Sequence, residues 1–157
     1  RKDYCRLRCW LKDESAVIFG YTVKDKNTPI FVTYRKEEDI SESTKYDDEF
    51  IDQNTFSWMT RSYVKYDSTE VSRIANQRQN GMIIELFVKK DDYDGSDFYY
   101  LGELNYIERY KSEMIVNTEK KAKAPIVNIH FKMKHPVKED IYDYLHKNLE
   151  EDIKSNT

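Results

Sequence analysis

Short runs of apolar, β-branched and aromatic residues recur along the chain as far as residue 133 and alternate with polar segments. Two such runs, at 16–24 and 29–34, flank a polar turn at 25–28 and predict a hairpin. Further strands are predicted at 56–61, 82–90, 97–102 and 126–133, and the glycine-containing segment 91–96 predicts a second hairpin. Strands that follow one another mostly without helices favour a mainly antiparallel, curled sheet or β-barrel.

Apolar positions take up helical spacing close to the C-terminus. The stretch 137–153 places Val137, Ile141, Tyr144, Leu145 and Leu149 on one face and predicts a helix that packs on the barrel. A smaller helix is predicted at 70–79. No internal repeat or low-complexity linker interrupts the chain, so the pattern predicts an α+β fold in a single domain, residues 1–157.

Charge is divided unevenly along the sequence. The chain has 26 Lys and Arg against 29 Asp and Glu, a net charge of −3, and such a total argues against a dedicated DNA binder. Residues 37–52 carry eight acidic side chains and one lysine, whereas residues 109–138 carry eight basic side chains and two acidic ones. Because local polarity decides where a phosphate backbone can lie, the 109–138 segment keeps nucleic acid among the candidate partners.

The sequence contains no Gly-x-Ser-x-Gly, His-Glu-x-x-His, P-loop or Rossmann glycine pattern. Its three histidines, His130, His135 and His146, are spread over the last predicted strand, the following turn and the C-terminal helix. Cys5 and Cys9 predict two reduced thiols, and the alternative is a zinc site completed by His130 or His135, which the spacing does not favour. We therefore expect no catalytic residue, no metal and no cofactor in this domain.

Segment 41–62 concentrates groups suited to nucleobase recognition. It combines hydroxyls, carboxylates, a lysine and the four rings of Tyr46, Phe50, Phe56 and Trp58. A flat ring beside a hydrogen-bond acceptor and a donor is what a protein needs to hold a base. Phe56 and Trp58 are two residues apart and so share a face of a regular strand. They are walls of a base slot if that face is concave and open, and core rings if it is packed.

The same segment resembles a family of bacterial domains that follow phospholipase-D-like nuclease and DEAD/DEAH-type helicase domains. The resemblance rests on the strands 81–89 and 98–102 and on Ser41, Ser43, Thr44, Tyr46, Asp48, Phe56, Trp58 and Thr60. In SauUSI-type, modification-dependent Type IV restriction endonucleases, this domain is the target-recognition module and is similar in fold to SRA domains. The resemblance implies an SRA-like or PUA-like barrel that recognises 5-methylcytosine or 5-hydroxymethylcytosine by base flipping.

Roles for individual residues follow from their chemistry and from this resemblance. Base binding is expected from Tyr46, Asp48, Phe56, Trp58 and Thr60, with the Asp48 carboxylate accepting a hydrogen bond from the exocyclic amine of cytosine. Contacts with the DNA backbone are expected from hydroxyls and cations, namely Ser43, Thr44, Lys45, Arg61, Lys65, Arg73, Arg78, Lys89 and Lys90. The alternatives are that the hydroxyls cap turns and that most of the cations are solvated.

The expected partners are double-stranded DNA with modified cytosine, the nuclease and helicase domains of the same chain, and a second copy in a homodimer. The chain is then expected to be a non-catalytic, C-terminal fragment of a restriction endonuclease with an ATP-dependent translocase. No apolar run approaches eighteen residues, so we expect a cytoplasmic location and no membrane contact. Two other interpretations stay open: a reader of another DNA mark such as phosphorothioate, and an oligomerisation module of a nuclease–helicase.

Overall fold

The structure, a computed structural model, describes residues 21, 23, 26–35, 48–91, 98–117 and 119–146. The elements in these ranges are, in chain order, β1 (Asn27–Arg35), β2 (Glu49–Asp52), β3 (Thr55–Met59), α1 (Thr69–Ala75), α2 (Gln77–Asn80), β4 (Ile83–Asp91), β5 (Tyr99–Asn117), β6 (Ala122–Met133) and α3 (Glu139–His146). The strands form one six-stranded sheet in the order β1-β4-β5-β6-β3-β2.

Neighbouring strands of this sheet are antiparallel, with the exception of β1 and β4, which run parallel. The predicted fold class, an α+β fold with a mainly antiparallel curled sheet and a C-terminal helix, is confirmed. The parallel pair is a difference from the prediction. A parallel neighbour requires a long crossover connection, and local hydrophobic patterns do not reveal which distant strand it reaches.

The sheet curls until its two edge strands approach each other. The backbone N–H of Phe50 in β2 donates a hydrogen bond of 3.2 Å to the hydroxyl of Tyr34 in β1, and the two ring centroids are 5.9 Å apart. The enclosed core collects apolar residues at period two from the strands. It includes Ile30, Val32, Phe56, Trp58, Ile84, Leu86, Val88, Leu104, Val127, Ile129 and Phe131.

Helices cover the core where the curled sheet leaves it open. α1 follows the N-cap residue Ser68, whose hydroxyl accepts a hydrogen bond from the Val71 N–H at 3.3 Å. Val71 and Ile74 of α1 and Leu145 of α3 are buried in the same core as the strands. α2 ends at Gly81, whose φ of 62° is the left-handed conformation that glycine adopts most readily.

Most predicted elements are present, with shifted ends. The strands predicted at 29–34, 56–61, 82–90, 97–102 and 126–133 and the helix predicted at 70–79 all have counterparts. The prediction at 97–102 is far too short, because β5 continues for 19 residues. The sequence pattern also fails to predict β2, because this strand buries only one of its four residues and so shows no alternation of apolar and polar positions.

Parts of three predictions lie outside the described residues. The antiparallel bridge between Tyr21 and Ile30 agrees with the predicted first hairpin, although most of strand 16–24 is not described. Most of the predicted turn 91–96 is not described either. The predicted helix 137–153 is described as far as His146, and it begins at Glu139 instead of residue 137. The single-domain assignment stays a prediction. In the described part of the chain, no helix is long and apolar enough to cross a membrane.

Candidate nucleic-acid interface

The β5–β6 hairpin extends well beyond the rest of the sheet. β4 pairs with β5 only as far as Leu104, whereas β5 and β6 stay paired up to Asn117 and Ala122. Next to the first residues of β4, the buried Gln77 side chain continues the pairing with β5: its amide nitrogen donates to the Leu104 carbonyl and its amide oxygen accepts from the Tyr106 N–H, both at 2.7 Å. The base of the hairpin is thereby anchored, and β5 and β6 continue past the edge of β4.

Two cations lie over one aromatic ring in the part of the hairpin that continues past β4. Arg109 and Lys111 are two residues apart on β5 and so share a face of the strand. The Cζ atom of Arg109 lies 4.4 Å from the centre of the Tyr66 ring, and the Nζ atom of Lys111 lies 5.5 Å from it. Both distances are in the range of cation–π attraction. Together with Tyr63 and Lys65, these residues form what we call the basic–aromatic surface.

A cleft of about 620 Å³ opens beside this surface, between the segment 65–67 and the hairpin. Its walls carry charged, hydroxyl and aromatic groups, among them Lys65, Tyr66, Lys111, Ser112 and Glu113. Cations and hydroxyls bind phosphate oxygens, whereas a ring offers a face for a base or a sugar. Lys65, Lys111 and Ser112 are therefore the groups of this lining that could hold a phosphate, beside the acidic Asp67 and the apolar Pro125 and Ile126.

Tyr63 presents its ring from a strained backbone conformation. Its φ is 69°, in the left-handed region that residues other than glycine rarely occupy, and the residue is 69% exposed. Its N–H donates a hydrogen bond of 2.8 Å to the Pro125 carbonyl of β6, which holds the turn against the hairpin. Backbone strain of this kind persists where the surroundings enforce it and is concentrated at functional sites.

The Arg109 side chain packs against the aromatic ring of Tyr66. Within the described part of the chain, its buried Nε atom has no hydrogen-bond partner, and its guanidinium lies over Tyr66. A guanidinium is the side chain best suited to bidentate recognition of a phosphate. The nearby acidic residue Glu113 is 3.6 Å from Lys123, so part of its charge is already matched.

The two rings of the predicted base slot lie in the core. Phe56 is fully buried and Trp58 is 3% exposed. The Trp58 ring meets Tyr21 edge-on at a centroid distance of 4.7 Å and Phe131 at 6.1 Å. This is the packed arrangement that the sequence left open as the alternative. Base binding by these rings stays a prediction, and it would require the core to open.

Thr60 and Asp48 hold strands together beside Trp58. The fully buried Thr60 hydroxyl accepts from the Val127 N–H at 3.0 Å and donates to the Arg61 carbonyl at 3.2 Å, which extends the β3–β6 ladder beyond Met59. The Asp48 carboxylate accepts from the Met59 N–H at 2.8 Å. Among the predicted base-binding residues that the structure describes, Asp48 alone is half-buried rather than buried.

Arg61 belongs to a cluster with Glu70 and Tyr21. Its Nη2 atom lies 3.2 and 3.1 Å from the two Glu70 carboxylate oxygens, and its guanidinium lies 4.8 Å from the centre of the Tyr21 ring. The Arg61 N–H donates to the Tyr21 hydroxyl at 3.4 Å. Burial, and then the Glu70 carboxylate, raise the pKa of the Tyr21 hydroxyl above its ordinary value. A phosphate would have to compete with Glu70 for Arg61.

The other predicted backbone contacts differ in exposure. Lys65 is exposed on the basic–aromatic surface. Arg78 is exposed at a second cleft of about 720 Å³, and Arg73 is half-buried. Lys89 and Lys90 are buried, with their Nζ atoms 5.5 and 4.6 Å from the centres of aromatic rings. The structure thus brings Lys65 to the basic–aromatic surface and places the other four elsewhere.

The remaining predicted site residues, Ser43, Thr44, Lys45 and Tyr46, lie outside the described residues, as do Cys5 and Cys9. Among the residues that the structure describes, no group of three His, Cys, Asp or Glu side chains could hold a metal ion.

Residues 1–145 match a protein family described as Domain of unknown function (DUF3427). The chain belongs to the DUF3427 family. This match bears out the resemblance at the level of the domain, whereas the SauUSI-type assignment stays a prediction. The comparison of this chain with curated proteins gives no match.

Among solved structures, the DUF3427 domain is similar to a chain in the crystal structure of KRYPTONITE in complex with mCHG DNA and SAH. The two are 8% identical with a TM-score of 0.41, and the alignment covers 80% of this chain and 26% of that chain. The domain therefore spans about a quarter of the length of that protein. That the fold is SRA-like is implied by the sequence resemblance.

The sequence predicts the basic–aromatic surface of the DUF3427 domain only in part. Arg109 and Lys111 lie in the basic segment 109–138, and Lys65 is among the predicted backbone contacts, but Tyr63 and Tyr66 are missed. The signal for them is present in Tyr-Val-Lys-Tyr at 63–66, where two rings flank a lysine in a polar loop. Rings interleaved with cations are characteristic of nucleic-acid binding surfaces.

Proposed function

We propose that this domain binds double-stranded DNA through the basic–aromatic surface and directs a Type IV restriction endonuclease to modified cytosine. The observation that carries the proposal is the placement of Arg109 and Lys111 over the Tyr66 ring, with Tyr63 exposed on a strained backbone. The choice of modified cytosine as the target rests on the residues of segment 41–62 that resemble the target-recognition family.

The basic–aromatic surface suits DNA because it combines two kinds of interaction. Cations that neutralise phosphates release condensed counterions, which gives affinity without regard to sequence. An exposed ring can stack on a base, and each such contact is worth about 1–3 kcal/mol. Tyr63 is the ring available for stacking, while Tyr66 positions the cations of β5.

Modified cytosine is the target that the sequence resemblance implies, with 5-methylcytosine and 5-hydroxymethylcytosine as candidates. Extrusion of the base toward the half-buried Asp48 would offer its exocyclic amine a carboxylate acceptor, which discriminates against thymine. The methyl group itself contributes on the order of 0.8 kcal/mol on burial. That free energy alone corresponds to about a fourfold preference, and a close-fitting apolar pocket raises the preference for methylated over plain cytosine to about 10- to 200-fold at most.

If one domain prefers methylated over plain cytosine by only this factor, selective cleavage of modified DNA requires the whole protein to increase that preference. The domain acts as a non-catalytic binding module, and cleavage belongs to nuclease and ATP-dependent helicase domains of the same chain. Two domains in a homodimer that engage two marked sites would multiply their preferences, because the second binding event is intramolecular.

The test is a titration of labelled duplexes that carry 5-methylcytosine, 5-hydroxymethylcytosine or cytosine, at several salt concentrations. We expect the modified duplexes to bind more tightly, and Lys111→Ala to lower the slope of log affinity against log salt by about 0.9. Lys138→Ala removes the same charge beyond the opposite end of β6 and serves as the control, with no change expected. Equal affinity for all three duplexes contradicts recognition of the mark.

Base flipping has its own readout. With 2-aminopurine next to the modified cytosine, extrusion removes its stacking partner, and we expect fluorescence to increase on binding. Fluorescence that stays quenched at saturating protein would instead mean that the mark is read in the major groove.

A further inference from the structure

Residues 119–121 at the tip of the β5–β6 hairpin include a lysine in an unusual backbone conformation. The Asn117 side-chain oxygen accepts hydrogen bonds from the N–H groups of Glu119 and Lys120, both at 3.0 Å. Lys121, the last residue of the turn, has φ of 49°, in the left-handed region. Turns of this kind normally place glycine at the left-handed position, because glycine alone adopts it without steric cost.

Lys121 occupies this position at a steric cost that glycine would avoid. Lys120 and Lys121 are both exposed at the apex of the hairpin. Within the described residues, Tyr63 and Lys121 are the two non-glycine residues with positive φ. Both lie toward the outer end of the hairpin, since Tyr63 is bound to Pro125 of β6.

The part of the hairpin beyond its last described contact with the rest of the fold has the dimensions of a groove-binding element. Met114 makes this contact: its side chain is buried, and its sulfur lies 3.7 Å from the Ser62 hydroxyl. From Met114 to Asn117 the strand spans roughly 10 Å at about 3.3 Å per residue, before the turn is added. The major groove of B-DNA is about 12 Å wide and 8.5 Å deep, and it admits a two-stranded β-ribbon.

We propose that the β5–β6 tip enters the major groove of duplex DNA, where the Lys121 ammonium donates hydrogen bonds to base-edge acceptors such as guanine O6 and N7. Lys120 contacts the flanking phosphates. This inference rests on the proposed DNA binding but assigns it a second contact, distinct from the basic–aromatic surface. The tip reads DNA from the groove, while Arg109 and Lys111 hold the backbone nearer the base of the hairpin.

The left-handed backbone of Lys121 allows a test in which stability and binding move in opposite directions. In Lys121→Gly the backbone strain is removed, so the melting temperature should be equal to or above that of wild type, while affinity for duplex DNA should fall about 3- to 10-fold, in line with the loss of one base-edge or phosphate contact. Lys121→Asn tolerates the same backbone without the charge and should lose the same affinity. Lys138→Asn is the matched charge control and should bind as wild type does.

Protection of guanine N7 from dimethyl sulfate distinguishes groove entry from a phosphate contact. We expect wild type and Lys138→Asn to protect guanines near the target, and Lys121→Gly to lose that protection at saturating protein. If wild type binds the duplex and Lys121→Gly binds and protects it equally well, the groove contact is overturned and the proposed function stands. If wild type binds no duplex at all, the proposed function itself fails.

Discussion

The hydroxyl of Tyr34 in β1 accepts a hydrogen bond from the backbone N–H of Phe50 in β2 and so joins the two edge strands of the sheet. The same hydroxyl lies 2.8 Å from Nε2 of His146 in α3. The His146 Nδ1 atom lies 2.7 Å from the Tyr142 carbonyl, which can only accept, so Nδ1 donates and the neutral ring accepts the Tyr34 proton at Nε2. One hydroxyl therefore connects both edges and the C-terminal helix.

Replacing Tyr34 with Phe should loosen the closure of the sheet. The ring remains, but two hydrogen bonds are lost, and each contributes about 0.5–1.5 kcal/mol net. We expect the free energy of unfolding, measured by urea denaturation, to fall by about 1–3 kcal/mol. Tyr99→Phe removes a hydroxyl from a ring that is 45% exposed and should change it little. Equal stability of the two variants would show that the edge-to-edge bond does not hold the curl.

Tyr21 should make the stability of the fold sensitive to alkaline pH. Burial and then Glu70 raise the pKa of Tyr21 in the folded state, and burial also raises the pKa of Tyr34. The stability gained from a raised pKa is complete below the unfolded value of about 10 and is lost as pH rises through the folded value. We therefore expect the free energy of unfolding to decline above about pH 10. The decline should be smaller in Tyr21→Phe and unchanged in Tyr63→Phe, whose ring is exposed.

The strands that the sequence predicts well are those with one buried face. β6 buries every second residue through its second half, and this alternation is visible in the sequence. The outer half of β5 is different: between residues 105 and 117, Met114 is the only buried residue, because this part of β5 extends past β4 and most of its side chains are in contact with solvent. Hydrophobic periodicity cannot reveal such a strand, and its length depends on pairing with β6.

The candidate site is harder to predict, since its members meet only in the folded chain. Phe56 and Trp58 show the same period-two spacing whether they line an open slot or a core, and burial by Tyr21 and Phe131 decides between these options. Tyr66 meets Arg109 across a contact distant in sequence. The basic charge of segment 109–138 is visible in the sequence, but the ring that orients it is not.

Thr60 should act on stability and leave DNA affinity intact. In Thr60→Val the shape is nearly kept, but the Val127 N–H loses its buried acceptor, which costs about 1–3 kcal/mol. Thr60→Ser retains the hydroxyl and should recover most of this loss. Thermal unfolding and duplex titration on the same preparations separate the two roles. A Thr60→Val protein of wild-type stability that has lost modified-DNA affinity would assign Thr60 to the base.

Trp58 decides whether the predicted base slot exists in the folded domain. As a core ring packed on Tyr21 and Phe131, it should cost about 3–5 kcal/mol of folding stability when replaced by Ala. A ring that stacks on an extruded base would instead contribute about 1–3 kcal/mol to binding. From its burial we expect Trp58→Ala to unfold at lower urea concentration, and Trp58→Phe to recover part of the loss.

The duplex titration completes the Trp58 test. At a temperature where Trp58→Phe remains folded, we expect it to bind duplexes with 5-methylcytosine and with cytosine as wild type does, because the basic–aromatic surface is unaltered. If Trp58→Phe keeps wild-type stability but loses the preference for the methylated duplex, the ring contacts the base. The core around Trp58 must then open when DNA binds, and the recognition pocket forms by rearrangement of β3 against the residues that now cover it.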